Sequence, residues 1–138
     1  MRLRHSLPWL LLPLLALGCG GGPKVVPVSG RVTLDNKPLA NATVMFISTE
    51  TDPKIAGDLE AAAQTDGDGR YSLKMTQSKR DGAAVGDYKV RISLIERGES
   101  IVNRVPKAYN QDTKLTYTVP AGGTTEANFN LTSDGKGK

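Results

Sequence analysis

The chain has 138 residues, with 18 Lys and Arg against 14 Asp and Glu, and single Cys, Trp and His residues. That is the length of one domain, too apolar at 38% hydrophobic for a wholly disordered chain and too poor in cysteine for a disulfide scaffold. Two of the basic residues, Arg2 and Arg4, fall in a segment that reads as a removed leader. The remaining 16 against 14 is a surplus too small to point to nucleic acid.

Residues 1–18 have the pattern of a signal peptide. Arg2, Arg4 and His5 make a positive start, and Leu7 to Leu17 is apolar, broken only by Pro8 and Pro13. The run is shorter than the roughly 20 apolar residues that a spanning helix needs. Ala16-Leu17-Gly18-Cys19 resembles the lipobox of bacterial lipoproteins, with Ala16 where Leu is usual. The resemblance implies cleavage after Gly18 and acylation of Cys19. The thiol supplies the nucleophile for the thioether, and a small residue at the cut fits the peptidase. Residues 19–24 then form a Gly-rich tether, and five such residues reach at most roughly 17 Å. The domain is expected to hang close to a membrane through its lipid rather than through a helix. Gly20, standing where Asp is absent, resembles the sorting pattern of outer-membrane lipoproteins, so the expected location is the cell envelope at the outer membrane.

Between residues 25 and 132 the apolar period is two, the signature of strands half-buried in a sheet. Val28, Gly30, Val32 and Leu34 alternate with Ser29, Arg31 and Thr33, and Asp35-Asn36-Lys37-Pro38 is turn chemistry. Ala42 to Ile47 is apolar on both faces and predicts a central strand. Thr49 to Gly57 predicts loop. Asp58 to Thr65 suits strand or helical turn, with strand preferred. Tyr71, Leu73 and Met75 predict another strand after a glycine-rich turn. Tyr88, Val90, Ile92 and Leu94 make the clearest strand, with Lys89, Arg91 and Ser93 facing outward. Arg97 to Gln111 predicts loop, Leu115 to Val119 strand, Gly122-Gly123 turn and Ala127 to Leu131 a last strand. Residues 133–138 read as a fraying polar tail. About seven strands with turns between them predict an all-β, antiparallel sandwich.

Three stretches, in order, resemble carboxypeptidase regulatory-like domains. Gly30, Val32, Pro38, Leu39, Ala42 and Val44 match the opening pattern of that family, although Asn41 stands where Gly is usual. Thr65-Asp66-Gly67-Asp68-Gly69-Arg70-Tyr71 resembles its hairpin, and Gly86-Asp87-Tyr88-Lys89-Val90 its later strand entry, with Val85 where Pro is common. The resemblance implies a seven-stranded Ig-like, transthyretin-like β-sandwich serving as a non-catalytic accessory or binding module.

Candidate sites are few. Asp66-Gly67-Asp68-Gly69 suggests a calcium loop, but an EF-hand would need an oxygen ligand and a Glu where Arg70 and Gln77 stand. The two glycines suit a tight hairpin instead. His5 leaves with the leader and Cys19 is acylated, so Ser–His, Cys–His and histidine–metal chemistry have no residues to use. No enzyme activity, metal or cofactor is expected. Asn128 and Asn130 could accept an isopeptide crosslink from a first-strand lysine, but that strand presents Arg31. The outward Arg31, Lys89 and Arg91 suggest a charged solvent face. A glycan module generally displays exposed aromatics, and here only Tyr109 is predicted to stand free as a ligand contact. Trp9 is in the leader, while Tyr71, Tyr88 and Tyr117 lie on apolar faces. The expectation is therefore docking onto another envelope protein, with cell-wall glycan as the alternative partner and a histidine-free enzyme as the less favoured one.

Overall fold

The computed structural model describes residues 22–98 and 101–138. The expected cleavage and lipidation residues, Gly18 and Cys19, lie outside the described residues. Among the described residues no helix is long and apolar enough to cross a membrane.

Where the sequence alternates, the chain is strand. The eight-residue strand β9 (Gly86–Ser93) buries Tyr88, Val90 and Ile92 and exposes Lys89 and Arg91. It pairs antiparallel on one side with β4 (Thr43–Ser48) and on the other with β12 (Thr116–Val119). Beyond β4 the sheet continues antiparallel through β5 (Ala61–Gln64) to β7 (Lys74–Met75), giving the order β12-β9-β4-β5-β7. The second sheet is built around β2 (Ser29–Leu34), flanked by β13 (Phe129–Leu131) and β3 (Lys37–Pro38), with β6 (Arg70–Ser72) also paired to β2. Asp35 and Asn36, with φ of 50° and 64°, form the two-residue turn between β2 and β3. Both residue types tolerate positive φ, and such a turn matches strand twist.

The two sheets face each other across one apolar core. Phe46 of β4 meets Phe129 of β13 edge-on at 6.2 Å between ring centroids, and Tyr117 of β12 meets the same ring at 6.1 Å. Val44, Phe46, Val90, Ile92 and Val32 are fully buried. Each such side chain contributes about 1.5–3 kcal/mol on leaving water. The molecule is thus an all-β structure of face-packed sheets.

Four local expectations are corrected. First, β13 runs parallel to β2, with Phe129 beside Val32 and Leu131 beside Leu34, so the pairing is not antiparallel throughout. The chain leaves β12, turns at 120–123 and joins the second sheet through a parallel bridge between Val28 and Thr124, which fixes that direction. Second, residues 53–59 are a short α-turn (Pro53–Ala56) and a 3₁₀ turn (Gly57–Leu59), not plain loop. Asp52 caps the first by accepting the Lys54 N–H at 2.9 Å. Third, the segment read as loop after Arg97 holds β11 (Ile101–Asn103), which pairs with β10 (Ile95–Arg97) in a separate two-stranded hairpin. It is followed by a 3₁₀ turn at Lys107–Tyr109. Fourth, residues 133–138 are tied down by hydrogen bonds. Asn130 N–H donates to the Lys138 carbonyl at 2.5 Å and Ser133 N–H to the Asp35 carboxylate at 2.9 Å. The Thr132 hydroxyl and the Lys136 N–H both bond the Asp134 carboxylate, holding its pKa below the usual value.

The chain enters at β1 (Val25–Val26), which pairs with β8 (Ala83–Ala84) just before β9 begins. The β10–β11 hairpin leaves from the other end of β9. Eight strand residues at 3.3 Å each separate the two by about 26 Å.

Candidate functional site

A wide, polar groove lies over the β2–β6 pair. In its register Ser29 faces Ser72, Gly30 faces Tyr71 and Arg31 faces Arg70. Side chains alternate across a strand, so the two serines and two arginines share the outward face while Tyr71 points into the core, 4% exposed. A groove of about 730 Å³ runs along this face, rimmed by Gln64 and Asp66 on one side and by Thr125, Glu126 and Asn128 on the other.

Gly30 sets the depth of the groove floor. A Cβ there would stand 2.0 Å from the carbonyl oxygen of Ala127, so only glycine lets the 124–128 segment cross so close to β2. The Tyr71 hydroxyl donates to that same Ala127 oxygen at 2.5 Å. One carbonyl is therefore held between a glycine and a buried phenol. Burial, and secondarily the nearby Tyr117 phenol, push the Tyr71 pKa far above 10, and burial likewise raises Tyr88.

The sign of this effect is definite. Both phenols keep their protons when folded but release them near pH 10 when unfolded, so their contribution is complete below about pH 10 and declines as pH rises. Thermal unfolding followed by circular dichroism from about pH 8 to about pH 11.5 should show falling Tm above about pH 10. Tyr71→Phe should lower Tm at neutral pH, losing a hydrogen bond worth about 1 kcal/mol, yet flatten the alkaline decline. An unchanged alkaline slope in this variant would remove Tyr71 from the explanation.

Around the groove, backbone contacts fix the side chains. Asp66 closes the turn before β6, its Oδ1 accepting the N–H groups of Asp68 and Arg70 at 2.9 Å each. Arg31 Nε donates to the Asp68 carbonyl at 2.9 Å, and Asn128 Oδ1 accepts the Arg31 N–H at 2.9 Å. Asn130 Oδ1 accepts from the Thr33 hydroxyl at 3.0 Å. The two asparagines considered for an isopeptide bond thus brace β13 against β2. The Asp66–Gly69 stretch is a tight turn with Gly69 at φ 74°, but not the expected hairpin, because it carries the chain from β5 to β6, which pair with other strands in different sheets. Among the described residues no group of His, Cys, Asp and Glu side chains is arranged to hold a metal ion.

Two expectations about exposed groups are revised. Tyr109 does not stand free: it is 1% exposed, and its hydroxyl oxygen accepts the N–H of Thr132 at 3.1 Å and of Gly137 at 2.5 Å. It borders a cleft of about 530 Å³ beside Lys114 and Lys136 but offers no ring face for stacking. The signal that could have found it is the polar tail, which supplies the partners that let a phenol be buried. Arg31 also does not belong to one cationic row with Lys89 and Arg91, because β2 and β9 lie in different sheets. Its neighbour is Arg70, a pairing that only the register reveals. Compared with protein-family models, curated proteins and solved structures, the chain finds no match.

Proposed function

We propose that this protein is a lipid-anchored component of the cell envelope whose single β-sandwich binds rather than catalyses, docking onto another envelope protein. The anchor is Cys19, exposed by cleavage after Gly18, and the sandwich is of the seven-stranded Ig-like, transthyretin-like kind implied by its resemblance to carboxypeptidase regulatory-like domains. The observation that carries the docking reading is the β10–β11 hairpin. It exposes Ile95 (55%) and Val102 (45%) on a two-stranded ribbon outside both large sheets. Isolated ribbons are marginal in water, and exposed aliphatics on one are suited to burial against a partner. The hairpin lies at the opposite end of β9 from Val25. A tether at the N-terminus would therefore hold it on the side facing away from the bilayer.

Labelled fatty acid should enter the wild-type chain in a bacterial host and not Cys19→Ser. A photocrosslinker placed at Gly98 should yield a discrete protein adduct in the envelope. That adduct should disappear when Ile95 and Val102 are both changed to Ser, with the anchor and fold retained. Absence of acylation rejects the anchor, and an adduct that survives the double change rejects the hairpin as the docking element.

A further inference from the structure

We propose that Arg31 and Arg70 form a carboxylate-binding site for an acidic saccharide in the groove over β2 and β6. The inference rests on the reading of the domain as a binding module but not on its docking through the hairpin. In the antiparallel register the two arginines are direct cross-strand partners on one face. Their Cβ atoms are then about 5 Å apart, and like charges so placed destabilise a sheet. Among the described residues the only ion pairs are Lys74–Asp81 and Arg104–Glu96, so neither arginine is neutralised by a carboxylate. Asp66, the acid that closes the turn before β6, spends Oδ1 on two backbone N–H groups. Arg31 is oriented by its Nε bond to the Asp68 carbonyl, which leaves its terminal nitrogens for another acceptor. A repulsive pair held on a rigid strand pair over a recess is the geometry that a bound carboxylate relieves, since guanidinium groups grip carboxylates bidentately.

The flanking groups narrow the ligand. Ser29 and Ser72 lie beside the arginines, and the carboxamides of Gln64 and Asn128 stand at the rims together with the carboxylates of Asp66 and Glu126. The hydroxyls, carboxamides and carboxylates are partners for hydroxyl groups. No aliphatic or aromatic side chain lines the recess except the inward-pointing Tyr71. A peptide ligand would lack the apolar pocket in which protein interfaces concentrate their affinity, whereas a uronic-acid sugar presents a carboxylate ringed by hydroxyls. Binding should be modest and should weaken with salt.

Full-length protein in detergent, titrated calorimetrically with an oligogalacturonate, should show saturable binding, with none for a neutral glucan oligomer. Arg70→Gln should weaken uronate binding by at least about tenfold, the loss of one charged hydrogen-bonded contact, while Lys89→Gln on the other sheet leaves it unchanged. Because repulsion is relieved, Arg70→Gln should also raise Tm by about 1–4 °C, which separates lost binding from lost fold. Absence of saturable uronate binding, equal affinity in Arg70→Gln, or tighter binding of inorganic phosphate or of polyglutamate would overturn the proposal. Acylation and hairpin crosslinking report separately on the function proposed above.

Discussion

Ile92→Asp is expected to eliminate the folded domain. Ile92 is fully buried on β9, opposite Val44 in the neighbouring strand and between the two sheets. The substitution forfeits about 1.5–3 kcal/mol of apolar burial. It also places a carboxylate where no donor waits for it, at a cost of several kcal/mol more. A domain of this size holds about 5–15 kcal/mol in total. The purified variant should lack a cooperative thermal transition or fail to accumulate. Lys89→Asp, three positions earlier and exposed beside Thr116, should stay within about 0.5 kcal/mol of wild type. If the two variants melt alike, β9 does not bury the face assigned to it.

Gly30→Ala should also be strongly destabilising although it adds a single methyl group. The new Cβ would meet the Ala127 carbonyl oxygen at 2.0 Å and its carbon at 2.4 Å, both backbone atoms with no rotamer to escape into. Either β2 or the 124–128 segment must move. Movement of the latter would disturb the Tyr71 bond to Ala127 and the Ala127 N–H bond to Ser29. The expected loss is about 3 kcal/mol, or a Tm drop on the order of 10 °C. Gly122→Ala, where a Cβ meets nothing within 4 Å, is the matched control and should be close to neutral. Equal melting of the two variants would show that the 124–128 segment does not cross β2 this closely.

Legibility in the sequence followed the apolar period. Tyr88, Val90 and Ile92 alternate with charged residues, and the structure buries all three. Tyr71, Leu73 and Met75 behave the same way. The β10–β11 hairpin was not legible because its described side chains are all exposed, which leaves no in-out alternation to read. The tail escaped for a related reason. Its fixation depends on hydrogen bonds from Lys136 and Gly137 to Thr132 and Tyr109, which short polar residues form without any pattern. The direction of β13 depends on where the chain crosses between sheets, and alternation is the same for parallel and antiparallel pairing. At the candidate site Arg31 was visible as an outward charge, but its partnership with Arg70 is a property of register between strands 39 residues apart. Tyr109 was misplaced because a loop tyrosine and a buried one look alike until their acceptors and donors are known.

The parallel pairing of β2 with β13 joins the beginning of the domain to its end. The Asn130 carboxamide accepts from Thr33 across 97 positions of sequence, and Ser133 bonds Asp35 across 98. Contacts so distant along the chain demand a large loop closure and slow folding. Until β13 is in place, β2 lacks one flank and Phe46 lacks its edge-on contact with Phe129. The two ends of the domain therefore clasp each other, and the core is complete only when both are in place.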